Sequence, residues 1–186
     1  MSTIPSFAAD PEKCGWVIPM VRLTPHGIDT ARALPVRSTV MDDADIDLRN
    51  VTYRLFVEFG RAPTAGEVSA AIGIPEGTAR DAWRRLHDAH ALVLDEVGEI
   101  RMANPFAAQS TPFRVHAAGR SWFANCAWDA FGIGAALRVD STFDAQCADC
   151  GHPLAVSVHA GQPDDARLLF HVLVPASSWW NDIGFT

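Results

Sequence analysis

Apolar and polar positions repeat with a helical period most clearly between residues 46 and 103. Ile46, Val51, Tyr53, Leu55, Phe56 and Phe59 share one face of a predicted helix that Gly60 ends. Thr64-Ala65-Gly66-Glu67 has the capping-box pattern, with the Thr64 hydroxyl accepting from the backbone and Glu67 reaching back. A short helix then runs through Val68 and Ile72 to Gly73. After Ile74-Pro75, the positions Ala79, Ala82, Trp83 and Leu86 mark the buried side of a third helix. Ala91 to Leu94 and Glu99 to Met102 read as two strands of a hairpin around Glu96-Val97-Gly98. Three helices followed by a hairpin predict a winged helix-turn-helix-like module.

The pattern is weaker on either side. Pro5, Pro11, Pro19, Pro25 and Pro35 interrupt any long helix before it, so residues 1–45 are expected to form a partly ordered arm. Asn104 to Pro112 reads as a linker of small and polar residues. Beyond it, Phe113 to His116 predicts a strand, Ala117 to Arg120 a turn, and Ser121 to Leu137 a helix weakened by Gly132 and Gly134. Arg138 to Phe143, Ala155 to His159 and Leu168 to Val174 are strand-like. The expected fold class is α+β. A winged-helix-like domain, 46–105, precedes a small, mostly antiparallel sheet domain with one helix, 112–186.

Composition narrows the picture. A 186-residue chain that is 48% hydrophobic and 20% charged can bury a real core. Its net charge of −7 offers no overall basic field for phosphates. In the third helix Arg80, Arg84 and Arg85 would face a duplex, but Glu76, Asp81 and Asp88 offset them and the hairpin is acidic. Nucleic acid is therefore a weak expectation. No apolar run reaches the roughly 20 residues that span a bilayer, and Met1 to Asp10 lacks the basic start and apolar core of a secretory signal. Four cysteines, Cys14, Cys126, Cys147 and Cys150, then suggest reduced thiols in a cytoplasmic protein.

Two stretches carry candidate chemistry. In Asn125-Cys126-Ala127-Trp128-Asp129 a thiol and a carboxyl group are three residues apart, so on a helix they share a face. A thiolate that holds a soft group beside an acid that delivers a proton is one use of the pair. A buried core cysteine and a capping aspartate is the plainer one. Cys147-Ala148-Asp149-Cys150-Gly151 has metal-ligand spacing, with Cys126, His152 or His159 left to complete a four-ligand site. Otherwise it is a turn whose thiols pack in the core. His116, His152, His159 and His171 carry no assigned role. Trp179-Trp180 could line a pocket or fill the core.

The run Gly119-Arg120-Ser121-Trp122-Phe123-Ala124-Asn125-Cys126-Ala127-Trp128-Asp129, continued by Ala136-Leu137-Arg138-Val139, Cys147 and Gly151-His152-Pro153-Leu154, resembles the organomercurial (alkylmercury) lyase family. The resemblance implies protonolysis of a carbon–mercury bond, with Cys126 as thiolate ligand and Asp129 in proton transfer. It implies a small organomercurial as substrate and a thiol reductant as co-substrate, with no other cofactor required. The family's second catalytic cysteine is expected immediately beyond Trp179-Trp180-Asn181-Asp182-Ile183-Gly184-Phe185-Thr186, as in a truncated copy. Cys14, Cys147 and Cys150 are the substitutes on offer.

Two other readings stand beside the lyase. One is a metal-binding protein that holds zinc, copper or mercury through Cys126, Cys147 and Cys150 without turnover. The other is a winged-helix regulator that responds to a metal.

Overall fold

The computed structural model describes residues 41–170, 172 and 174–183. Residues 1–40 of the expected arm, Cys14 and His171 lie outside them.

Helix α1, Asp43–Phe59, starts where the Asp42 carboxylate accepts from the Asp45 N–H at 2.7 Å. Asp43 and Asp45 add negative charge where the helix dipole favours it. The helix stops at Gly60, whose φ of 70° only glycine adopts cheaply. Helix α2, Ala65–Ile72, opens on the predicted capping box of Thr64 and Glu67, and α3, Glu76–Asp88, follows Pro75. Phe56, Val68, Trp83 and Leu86 lock the three helices together. Trp83 Nε1 donates to Thr52 Oγ1 at 3.1 Å, and that hydroxyl donates to the Leu48 carbonyl at 2.9 Å. The polar atoms of this dry interior are thus satisfied in a chain.

Eight antiparallel strands form one sheet in the order β1-β2-β3-β5-β4-β6-β7-β8. They are β1 Val93–Leu94, β2 Ile100–Ala103, β3 Phe106–Ala107, β4 Arg114–Ala117, β5 Arg120–Ala124, β6 Ser141–Gln146, β7 Pro153–His159 and β8 Gln162–Pro163. Helix α4, Ala127–Leu137, lies between β5 and β6. Val115, Trp122, Phe143, Val156 and Val158 are buried, whereas His116, Thr142, Asp144 and Gln146 are exposed. This alternation belongs to a sheet covered on one face.

The α+β class holds, and four boundaries differ from expectation. The supposed linker contains β3, which joins β2 to β5, so the hairpin and the later strands share one sheet. Ser121 to Ala124 is strand rather than helix, because Trp122 and Ala124 face inward while Ser121 and Phe123 are only half-buried, a period of two. Arg138 to Asp140 precedes its strand, since Arg138 turns left-handed at a φ of 56° to end α4. Over the described part of Leu168 to Val174 the backbone is irregular, with one bridge residue at Leu169.

Among the described residues, three hydrogen bonds tie α1 to the sheet and the turn at Asn104. Trp122 Nε1 donates to the Phe56 carbonyl at 3.3 Å, the Arg120 guanidinium donates to the Glu58 carbonyl, and Tyr53 Oη donates to the Asn104 carbonyl at 3.0 Å. The pairing of Phe106 with Ala124 sets the Asn104-Pro105 turn beside Asn125, the first residue after β5. A Cβ on Gly132 would stand 3.1 Å from Pro105 Cβ, so the bare glycine lets α4 close onto that turn. No helix among the described residues is long and apolar enough to cross a membrane.

Candidate functional site around Cys126 and Asp129

Cys126 is the N-cap of α4, with extended backbone at φ −151° and ψ −179°. Serine, threonine, aspartate or asparagine is the usual choice there, because their oxygens accept from the first free N–H groups. A half-buried thiol in their place gives up most of that capping. Asp129, in the first turn of α4, lies close enough to Cys126 for its charge to act on the thiol. Cys126 precedes α4 with extended backbone, so the two groups adjoin at the start of the helix rather than sharing a helical face. Both groups are half-buried rather than sealed.

Their acidities follow from that setting. Burial pushes the Cys126 thiol up to about 11, and the negative charge of Asp129 adds to the rise. The backbone N–H groups of Asp129 and Trp128 oppose it. Helix N-termini commonly make a cysteine more acidic, but here burial and the neighbouring carboxylate win. Burial also raises Asp129, against hydrogen bonds from Asn125 and Cys126 that lower it. Both groups therefore favour their protonated forms more than they would in water.

The surroundings include residues that the sequence left unassigned. Asn125 Nδ2 lies 3.0 Å from Asp129 Oδ2, 3.0 Å from Asn104 Oδ1 and 3.4 Å from the Phe106 carbonyl. From α1, Tyr53 feels the charge of Asp129, and the Arg49 guanidinium sits 4.5 Å from its ring centroid. Trp128 is 54% exposed and meets Phe170 edge to face at 6.0 Å, which puts an apolar surface on the first turn of α4. Strand register brings Asn104 to Asn125, and no local spacing signals that meeting.

The other candidates fall elsewhere. Cys147 is buried in the β6–β7 turn, where its N–H donates to the His152 carbonyl and its carbonyl accepts from Gly151 N–H. Cys150 is half-buried in the same turn. Among the described residues no three His, Cys, Asp or Glu side chains are grouped to hold a metal, so Cys126, Cys147 and Cys150 do not form the expected ligand set. Arg80 is paired with Glu76 at 2.9 Å and Glu99 at 2.6 Å, Arg84 with Asp81 at 2.5 Å, and Arg85 with Asp45 at 2.6 Å. His159 pairs with Asp140 at 3.1 Å. Trp180 stacks on His90 with centroids 4.0 Å apart, and Trp179 Nε1 donates to the Val174 carbonyl at 2.8 Å. Neither of two open clefts, of about 550 and 440 Å³, is lined by Cys126 or Asp129.

Residues 106–186, which contain this thiol–carboxyl pair, match the family model MerB, alkylmercury lyase. Over these residues, less than half of the chain, the sequence is similar to the alkylmercury lyase family. Within the lyase segment lie β3 to β8, α4 and the 3₁₀ turn Ala176–Asn181; α1–α3 and the β1–β2 hairpin precede it. A solved structure described as the mercury-bound form of MerB2 is similar in fold, with a TM-score of 0.55 and 23% identity. It covers 69% of this chain, more than the lyase segment alone, and the match takes in 62% of that chain's length. The chain thus spans less than two thirds of that protein. No curated protein matches.

Proposed function

We propose that the chain carries an alkylmercury lyase-type site, in which Cys126 takes mercury from an organomercurial and Asp129 carries the proton that frees the hydrocarbon. The observation behind this reading is the closeness of the Cys126 thiol and the Asp129 carboxyl at the start of α4, inside the segment that matches the family model.

The chemistry starts from the substrate. Hg(II) in an alkyl- or arylmercury salt is soft, and thiolate is its preferred ligand. With an acidity near 11, Cys126 is almost wholly protonated at neutral pH. Capture therefore exchanges a proton for mercury: the S–H bond breaks, the S–Hg bond forms, the salt's anion leaves, and the proton moves to Asp129. Burial already favours the protonated carboxyl, so Asp129 is suited to hold it. A second thiolate, from a small thiol, adds electron density to mercury and weakens the carbon–mercury bond. That bond's electron pair takes the proton from Asp129, which releases R–H and leaves mercury on two thiolates.

Purified protein given phenylmercury acetate and excess small thiol is expected to release benzene, measured by headspace gas chromatography. Cys126→Ala is expected to remove that release. Retention of mercury by the wild type without benzene would favour the binding-only reading.

A further inference from the structure

Asn125 is the residue at this site whose hydrogen bonding does not balance. Its Nδ2 carries two hydrogens and faces three acceptors: Asp129 Oδ2, Asn104 Oδ1 and the Phe106 carbonyl. Its Oδ1 is buried with no partner among the described residues. Turning the amide over would set an oxygen against those three acceptors, so electrostatics fixes Nδ2 toward Asp129. The unmatched oxygen is the cost of that orientation, and a side chain chosen only for stability would not carry it. The sheet sets the position: Phe106 pairs with Ala124, which places Asn104 and the Phe106 carbonyl within reach of the same amide nitrogen.

We propose that Asn125 is a positioning residue, which holds the Asp129 carboxyl against the Cys126 thiol through the 3.0 Å hydrogen bond from Nδ2. This deepens the lyase reading and rests on it for its catalytic consequence. Held this way, Asp129 stays an acceptor for the thiol proton and cannot swing toward solvent. The titratable and charged groups around it are Cys126 on its own helix and Tyr53 on α1, with Arg49 stacked on Tyr53. Asn125 is neutral and does not titrate, so its loss acts through Asp129.

The test compares the wild type with Asn125→Ala as full chains. The Asp129 carboxyl is followed by carbon-13 NMR against pH, and benzene release from phenylmercury acetate is measured in parallel. The expected results are an upward move of the Asp129 titration, a kcat lower by about tenfold as for one charge-assisted hydrogen bond, and an unchanged KM. The acidic limb of the rate profile should move with the titration. A purely structural role would lower melting temperature without moving either curve. Superimposable Asp129 titrations overturn the proposal. Should Asn125→Ala fail to fold, Asn125→Ser, whose hydroxyl is too short to reach, is read in the same way. Absence of benzene from the wild type would sink the lyase reading alone, because the NMR titration needs no turnover.

Discussion

Replacing Asp129 by asparagine isolates the electrostatic half of the thiol's behaviour. The wild-type Cys126 thiol is pushed up to about 11 from an ordinary 9.0, first by burial and then by the Asp129 charge. Asparagine keeps the volume and removes the charge, so burial remains and the acidity recovers only in part. A full charge a few ångströms away shifts a partly buried group by roughly one unit, so the Cys126 midpoint should fall to about 10 in the variant. At pH 8 the thiolate fraction then rises about tenfold. A more acidic thiolate is also a weaker nucleophile, with a Brønsted slope of about 0.4–0.5 that takes back roughly a factor of three. The expected net gain in alkylation rate is about threefold. The assay is iodoacetamide alkylation against pH, read peptide by peptide so that Cys126 is separated from Cys14 and Cys150. A Cys126 profile that stays in place, or moves to higher pH, would refute the claim that the carboxylate faces the sulfur.

The same substitution has a stability consequence. The folded-state pKa of Asp129 is raised, so the stability it contributes is fully present below its unfolded value of 3.8 and is lost as pH rises through the folded value. At pH 7 Asp129→Asn should therefore unfold in urea at or above the wild-type midpoint, and the advantage should vanish as pH falls toward 4. Thr52→Val strands the buried Trp83 N–H and should cost about 1–3 kcal/mol by urea unfolding at unchanged m-value; a cost near zero would contradict the described core. Gly134→Ala would set a methyl group on the Ser141 hydroxyl. Overpacking of roughly 1–3 kcal/mol should outweigh the gain of about 1 kcal/mol in helix propensity. Because the Ser141 Oγ is buried with no partner among the described residues, adding Ser141→Ala should restore part of the melting temperature.

The parts of the fold that the sequence announced are those with local chemistry. Gly60 ended α1, Thr64 and Glu67 capped α2, and the apolar spacing of Ala79, Ala82, Trp83 and Leu86 marked α3. The nearness of Cys126 and Asp129 was legible for the same reason, since a three-residue spacing across a helix start is local. What stayed hidden depends on pairing across the chain. Strand β3 is two residues long and follows a proline, so nothing nearby distinguishes it from a linker. Strand β5 runs into α4 through an apolar stretch, and its period of two is too short to stand out. Asn125 and Asn104 meet only because Phe106 pairs with Ala124. The sequence already set Glu76 and Asp81 against the arginines of α3; that Asp45 and Glu99 also engage them, from α1 and from the residue before β2, depends on tertiary packing.

The central claim is that one residue grips the metal and another supplies the proton, and a single-turnover experiment on Asp129→Asn separates the two. The variant is loaded with phenylmercury at equal concentration, freed of excess, and given a small thiol while protein-bound mercury and released benzene are both counted. The account predicts that mercury stays bound through Cys126 and that benzene falls to the thiol-only blank. Benzene released at the wild-type rate by Asp129→Asn would contradict it.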